Sequence, residues 1–166
     1  MALGRMESFD RGIFLDLVKA SGKTQAEIAV DCTVTKSVVS HWMSGRNKPA
    51  PKHAPLLAES LGVSVLDLAG KTLAIADLVD LRIMQGMHSA EAAEVAGIKV
   101  SQLQTLEAAI NMPKPEHLET LVDPYKTDLD QVRRSWVNRR IHLFGRHSLN
   151  RLDDQTREYL SPWADL

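Results

Sequence analysis

Between Thr24 and Gly45, small and apolar side chains fall where two short helices crossing over a tight turn must pack, and a shift of 64 residues finds the pattern a second time. Ile28, Ala29, Val34, Val39 and Trp42 are the inward positions of the first copy. Ala29 is small where the helices cross, and Val39 and Trp42, three residues apart, share the inner face of the second helix. That spacing assigns the Trp42 indole to the core. Thr24 and Thr35 stand where N-caps are expected. The second helix turns Lys36, Ser37, Ser40, His41 and Ser44 outward, a row of short donors and acceptors with one permanent cation among them.

Residues 25–57 aligned with 89–121 give nine identities in 33 pairs, where chance would give about two. They are Ala26/Ala90, Glu27/Glu91, Ala29/Ala93, Ser37/Ser101, Asn47/Asn111, Pro49/Pro113, Pro51/Pro115, His53/His117 and Leu57/Leu121. Asp16/Asp80, Leu17/Leu81 and Gly22/Gly86 extend the match upstream, and Phe14, Val34, Val39 and Trp42 become Leu78, Ile98, Leu103 and Leu106. The folding positions persist, which makes this a tandem repeat.

The linked motifs of the first copy resemble those of the phage-repressor and Cro (Xre-type) family of DNA-binding regulators, over about residues 8–70. Thr24-Gln25-Ala26-Glu27-Ile28-Ala29 is similar to the family's opening, Val39-Ser40-His41-Trp42 to the body of its second helix, and Ser44-Gly45-Arg46-Asn47-Lys48-Pro49 to its exit. Leu56 to Leu68 resembles the last two of its five short helices. Thr33 departs from the glycine the family prefers at the turn, and a β-branched residue at positive φ is strained.

The resemblance implies roles. Gln25 matches a position that braces the backbone and a neighbouring base-reading side chain, Lys36, Ser37 and His41 match base-reading positions, and Ser44 and Asn47 match positions near phosphates or the groove floor. The chemistry agrees: Lys donates to guanine acceptors, Ser suits several base edges, and Asn suits adenine or a phosphate. Arg46, Lys48 and Lys52, just past the reading helix, are placed for position-setting phosphate contacts. With Thr35 and Ser40 on the same helix, and Arg139 and Arg140 far downstream, these make up the expected DNA-contacting set.

The second copy alters that face. Lys36 gives way to Val100, His41 to Thr105 and Arg46 to Ile110, while Glu94 and Glu107 are added. A face that loses cations and gains carboxylates is repelled by phosphate. The second copy is therefore expected to serve interaction or dimerisation, with Gln102, Gln104 and Asn111 as its remaining candidates for touching DNA.

A net charge of −1 says little, because the charge is segregated. Residues 1–70 hold 8 Lys or Arg against 7 Asp or Glu, and residues 71–132 hold 5 against 10. Residues 133–151 hold six arginines and no acid, and 152–166 hold 1 basic residue against 4 acidic ones. Leu129, Val132, Trp136, Val137, Ile141 and Phe144 are spaced as one face of a helix that Gly145 ends. Arg133, Arg134, Arg139 and Arg140 spread over its flank and outside. They are either a solvated face or a phosphate-contacting extension. Leu149, Leu152, Tyr159, Leu160 and Trp163 form the apolar side of a further segment, expected to fold back on the second copy or onto a partner subunit.

One cysteine, Cys32, excludes a disulfide framework and a thiolate-rich metal site, and its place on the inner side of the first helix suits a buried thiol. Residues 1–10 lack the apolar run of a signal peptide, and no stretch approaches membrane-spanning length, so a cytoplasmic location without a membrane partner is expected. No enzyme constellation is found: there is no phosphate-cradling Gly-rich loop, nucleophile elbow or HExxH. His142 and His147 have a finger-like gap but no paired cysteines, so neither a metal nor a cofactor is expected. The residues after 70 are used up by the repeat and its tail, leaving no room for a self-cleaving Ser/Lys domain.

The expectation is an all-α protein with two lambda-repressor-like helix-turn-helix domains in tandem, at 1–70 and 71–132, and an Arg-rich helical extension at 133–166. Its function would be sequence-specific transcription regulation of repressor type, of phage or mobile-element kind, with the helix at about 35–44 in the major groove of double-stranded DNA. Two arrangements fit: a homodimer on half-sites about one helical turn apart, or a monomer on an asymmetric site. The alternative is an antitoxin-like protein that holds a protein partner through residues 71–166 and binds DNA only to regulate itself.

Overall fold

Side-chain caps at Asp10, Thr24, Asp128 and Asp153 mark where four of the ten α-helices of the described residues begin. In the structure, a computed structural model that describes residues 6–163, every regular element is helical. The chain forms two compact units, one of the described residues up to Leu73 with Ile83–His88, the other of Ala74–Arg82 with the described residues from Ser89 onward.

In the first unit, α1 (Arg11–Ser21) starts at Asp10, whose carboxylate accepts from the Ile13 N–H at 2.9 Å. The next helix, α2 (Gln25–Asp31), starts with a full capping box: the Thr24 N–H donates to Glu27 Oε2 at 2.8 Å and the Glu27 N–H to Thr24 Oγ1 at 3.3 Å. The Thr24 N–H and the Thr24 hydroxyl, the latter at 2.7 Å, both donate to Glu27 Oε2 and hold its carboxyl below its ordinary pKa. Helices α3 (Lys36–Ser44) and α4 (Ala54–Leu61) follow. Phe14, Ile28, Val39, Leu57 and Leu68 are fully enclosed, with Ala29 at the α2–α3 crossing and Trp42 nearly so. Ser60 on α4 donates to Asp31 Oδ2 at 2.6 Å, and Lys23 Nζ reaches the same oxygen at 2.6 Å. This staple fixes α4 against the end of α2, which sets the base on which α3 rests.

The second unit repeats the plan with α5 (Leu78–Met84, whose last residues belong to the first unit), α6 (Ser89–Val95), α7 (Val100–Ala108) and α8 (Pro115–Glu119). The turns repeat at atomic level. After α2 the Thr33 N–H bonds to Val30 O and the Val34 N–H to Ala29 O; after α6 the Gly97 N–H bonds to Glu94 O and the Ile98 N–H to Ala93 O. This closing motif needs a left-handed residue. Thr33 supplies it at φ 54° and Gly97 at φ 67°. The same register pairs Gly45 (φ 76°) with Ala109 (φ 48°) and Gly62 (φ 69°) with Lys126 (φ 49°). Each of the three non-glycine residues at positive φ among the described residues thus faces a glycine in the other copy. The left-handed turn is a demand of the fold, met once by the residue suited to it and once at a cost in strain.

The second unit differs inside. Arg82 and Glu107, both buried, form a two-pronged ion pair at 2.6 and 3.1 Å, and the Tyr125 hydroxyl donates to Glu107 Oε1 at 3.2 Å. Burial and the neighbouring carboxylate push the Tyr125 phenol well above its ordinary pKa. The 64-residue register puts Val18, Met43 and Leu61 at these three places in the first copy.

Helix α9 (Leu129–Phe144) begins at Asp128, which accepts from the Gln131 N–H at 2.7 Å, and Gly145 ends it. Val132, Trp136 and Val137 are buried, Leu129 and Ile141 half-buried, and Phe144 exposed. A short 3₁₀ stretch (Arg146–Arg151) and α10 (Asp154–Leu160) fold back on the same unit, where the Tyr159 hydroxyl donates to Pro115 O at 3.2 Å. No helix of the described residues is long and apolar enough to cross a membrane.

Candidate nucleic-acid interface

Trp42 and Val39 anchor α3 inward, and helical geometry then turns the opposite stripe outward. Lys36, Ser37, Ser40 and Ser44 are exposed and His41 is half-buried beside them. Thr35 is the N-cap residue, yet its hydroxyl makes no cap bond to the helix. The first N–H groups of α3 are left without a side-chain cap, at the end of the helix that carries positive dipole. Gln25, half-buried, opens α2.

The segment leaving α3 holds the cations. The turn closes at Gly45, Asn47 is held by its N–H on His41 O at 3.2 Å, and Arg46 and Lys52 are exposed. Among the described residues, Lys36, Arg46 and Lys52 pair with no carboxylate. Lys48 donates to Glu7 O at 2.6 Å, fastening the chain before α1, and Arg11 Nε donates to Met43 O at 2.6 Å at the end of α3. The stripe from Lys36 to Lys52 therefore presents cations, hydroxyls and an amide without one carboxylate on α3 itself. Behind it, the His53 ring lies 5.8 Å from the Trp42 ring, and burial lowers its pKa. Cys32 is enclosed, and burial pushes its thiol up to about 11. Such a thiol is packing, not a nucleophile.

Arg139 and Arg140 are placed elsewhere than on a phosphate-facing flank. Arg140, buried, donates through one nitrogen to Ala109 O at 2.7 Å and Ile110 O at 3.0 Å. Arg139 Nε donates to Glu107 O at 2.9 Å, and another of its nitrogens reaches Asp77 at 3.3 Å. Both guanidiniums thus cap the end of α7, where backbone carbonyls and dipole call for positive charge. Arg133 lies over the Tyr159 ring at 4.2 Å and Arg134 over the Trp163 ring at 3.6 Å. These four arginines hold the second unit together. Sequence spacing missed this because most of the partners, carbonyls, rings and Asp77, are remote in the chain; Asp130, 3.3 Å from Arg133, is the near one.

The outward stripe of α7 has a different chemistry. Where the first copy has Asp31, Lys36, Arg46 and Lys48, the second has exposed Val95, Val100, Ile110 and Met112. Glu94 is exposed as expected. Glu107 is not on this stripe: it shares the inner face with Leu103 and Leu106 and is spent on Arg82. Gln104, Thr105 and Asn111 are exposed and Gln102 half-buried. Among the described residues no group of three or more His, Cys, Asp or Glu side chains is placed to hold a metal ion.

No curated protein and no solved structure is matched by the chain. A helix-turn-helix family model (HTH_3) matches it twice, over residues 16–68 and 78–132, so the same family description fits both the copy with the cationic stripe and the copy without it. The chain belongs to this helix-turn-helix family, the Xre or lambda-repressor-like type of DNA-binding transcription regulator, and carries its domain in tandem.

Proposed function

We propose that this protein is a sequence-specific repressor that lays α3 in the major groove of double-stranded DNA. Lys36, Ser37, Ser40 and His41 face base edges, braced by Gln25, and Thr35, Ser44, Arg46, Asn47, Lys48 and Lys52 contact the backbone beside them. The observation that carries this is the contrast between two copies of one fold: α3 and its exit expose a carboxylate-free cationic stripe, while the second copy has Val100, Ile110 and Met112 in place of Lys36, Arg46 and Lys48, and Glu116 in place of Lys52. Phosphate attraction separates the copies where packing does not. Arg139 and Arg140 are left out of the interface, since their donors already serve carbonyls.

The exposed Val95, Val100, Ile110 and Met112 favour protein contact for the second unit. In the repressor reading the contact joins two copies of this chain on half-sites about one helical turn apart. The antitoxin-like reading, in which a different protein is held by residues 71–166, draws on the same observation.

The test uses full-length protein on sites selected from random DNA, across a salt series. Lys36→Ala reduces discrimination between cognate and random DNA by about 1–3 kcal/mol, whereas Arg46→Ala weakens both alike and lowers the salt slope by about one. Equal losses on both DNAs for both variants would overturn the assignment of roles. Absence of any selected motif would hand the lead to the partner-binding reading.

A further inference from the structure

The second copy keeps His117 where the first has His53, but puts Leu106 where the first has Trp42. In the first copy the indole is buried and tilted against the imidazole at 5.8 Å. In the second a hollow of about 280 Å³ opens at the corresponding place. It lies between α7 and the segment that starts α8, with Leu106 and Met112 as its apolar wall and Gln102, Asn111, Lys114 and His117 among its polar edge. Every one of these residues belongs to the second unit.

We propose that this hollow is a binding site for a small aromatic carboxylate, whose ring takes the place that the Trp42 indole fills in the first copy. The fold is shaped for a flat bicyclic group there, and the sequence of the second copy supplies none. An apolar wall without its packing partner loses dispersion contacts that an inserted ring restores. The edge selects an acid: Lys114 and His117 line it, and none of the lining residues is a carboxylate. Gln102 already accepts the Lys99 N–H with its oxygen at 2.9 Å, which leaves its amide protons to donate to an anion. A hollow of about 280 Å³ has room for a bicyclic ring system. The site stands apart from DNA reading, since no residue of α3 lines it.

The experiment is a titration of the full chain with indole-3-acetate, followed at the Leu106 and Met112 methyl resonances, with neutral indole and plain acetate as separate arms. Saturable shifts are expected at these methyls, with a Kd of about 1 mM or tighter for the aromatic acid. Neutral indole is expected to bind about fivefold more weakly, and acetate to leave the Leu106 methyl unmoved. Leu106→Trp, which installs the residue of the first copy, abolishes the shift at Met112. Lys114→Ala, at an exposed edge position, leaves indole binding alone and removes the advantage of the acid. Non-saturable shifts, equal shifts with acetate alone, or binding undiminished in Leu106→Trp would each overturn the proposal. Should Leu106→Trp fail to fold, an unchanged preference for the acid in Lys114→Ala overturns the part assigned to the edge.

Discussion

The ion pair inside the second unit sets up a swap whose outcome can be worked out from the first copy. Arg82 and Glu107 have side chains 9% and 8% exposed. Taking two such charges out of water costs several kcal/mol per ion, which their attraction and the Tyr125 hydrogen bond offset. Glu107→Met alone leaves a buried guanidinium without its two-pronged acid, at a cost of about 3–5 kcal/mol, and Arg82→Val alone strands the carboxylate at a similar cost. The double variant restores Val and Met, the pair that the first copy holds at positions 18 and 43. Replacing a buried pair by apolar groups gains up to about 4 kcal/mol, while the Tyr125 hydroxyl loses its acceptor at about 1–3 kcal/mol. The double change therefore comes out near zero, and the coupling between the two sites at about 4 kcal/mol or more. Tyr125→Leu on top, matching Leu61, removes the stranded hydroxyl and adds stability. The assay is chemical and thermal unfolding of the full chain, read on the transition that carries Trp136, where about 3 kcal/mol moves Tm by about 6–12 °C. A double variant as unstable as the sum of the singles would refute the reasoning, because the pair would then not be what holds either charge. The same variants should keep the DNA sequence preference of the parent protein.

Three further outcomes follow from the geometry. Thr33→Gly gives the α2–α3 turn the residue that the α6–α7 turn already has, and relief of a left-handed β-branched residue should raise stability by about 1 kcal/mol, with Gly97→Thr costing at least as much; unfolding curves of the two variants check the signs. Arg139→Glu with Arg140→Glu should lower the stability of the second unit, by stranding carbonyls at the end of α7, and leave the salt slope of DNA binding unchanged; a shallower slope would return these arginines to the phosphate interface. For Cys32, burial raises the folded pKa from 9.0 to about 11, so the unfolded chain ionises first and stability falls as pH climbs from about 9 to about 11. Cys32→Ala, which installs the residue found at position 96, should flatten that part of the pH–Tm curve, and native Cys32 should resist alkylation at pH 8.

How much was legible in the sequence depended on the distance over which each residue finds its partner. The α2–α3 pair could be read because its determinants are local: a capping box closes within four residues, and Val39 and Trp42 lie one turn apart on the buried face. The repeat could be read because nine identities and the apolar folding positions recur at a fixed 64-residue register. Glu107 was misplaced on the outer face although the signal was present: Leu103, Leu106 and Glu107 are spaced i, i+3, i+4, which puts them on one side of a helix. Charge overrode spacing there, since a carboxylate is expected outside unless its partner is known, and Arg82 lies 25 residues away. Phe144 was misplaced for the opposite reason, its apolar character suggesting burial where the helix end leaves it exposed.

The six-arginine run shows why charge counting alone does not separate a packing helix from a phosphate-binding one. Four of the six sit on α9, and each finds a partner that carries no formal charge, the carbonyls of Glu107, Ala109 and Ile110 and the rings of Tyr159 and Trp163, while Arg133 and Arg139 also pair with Asp130 and Asp77 outside the run. A composition window sees 19 residues with six cations and no acid, which is also what a phosphate-binding helix would show. The difference lies in the exit of α7. In the first copy the segment leaving α3 is closed by Gly45 and followed by exposed Arg46; in the second, Ala109 and Ile110 turn their carbonyls to Arg140. The position that gives the first copy an outward cation has become apolar in the second, and an inward cation from another helix closes its end. A single ancestral plan can diverge in this way without touching its core, because helix ends, unlike helix faces, tolerate whichever element brings the missing donors.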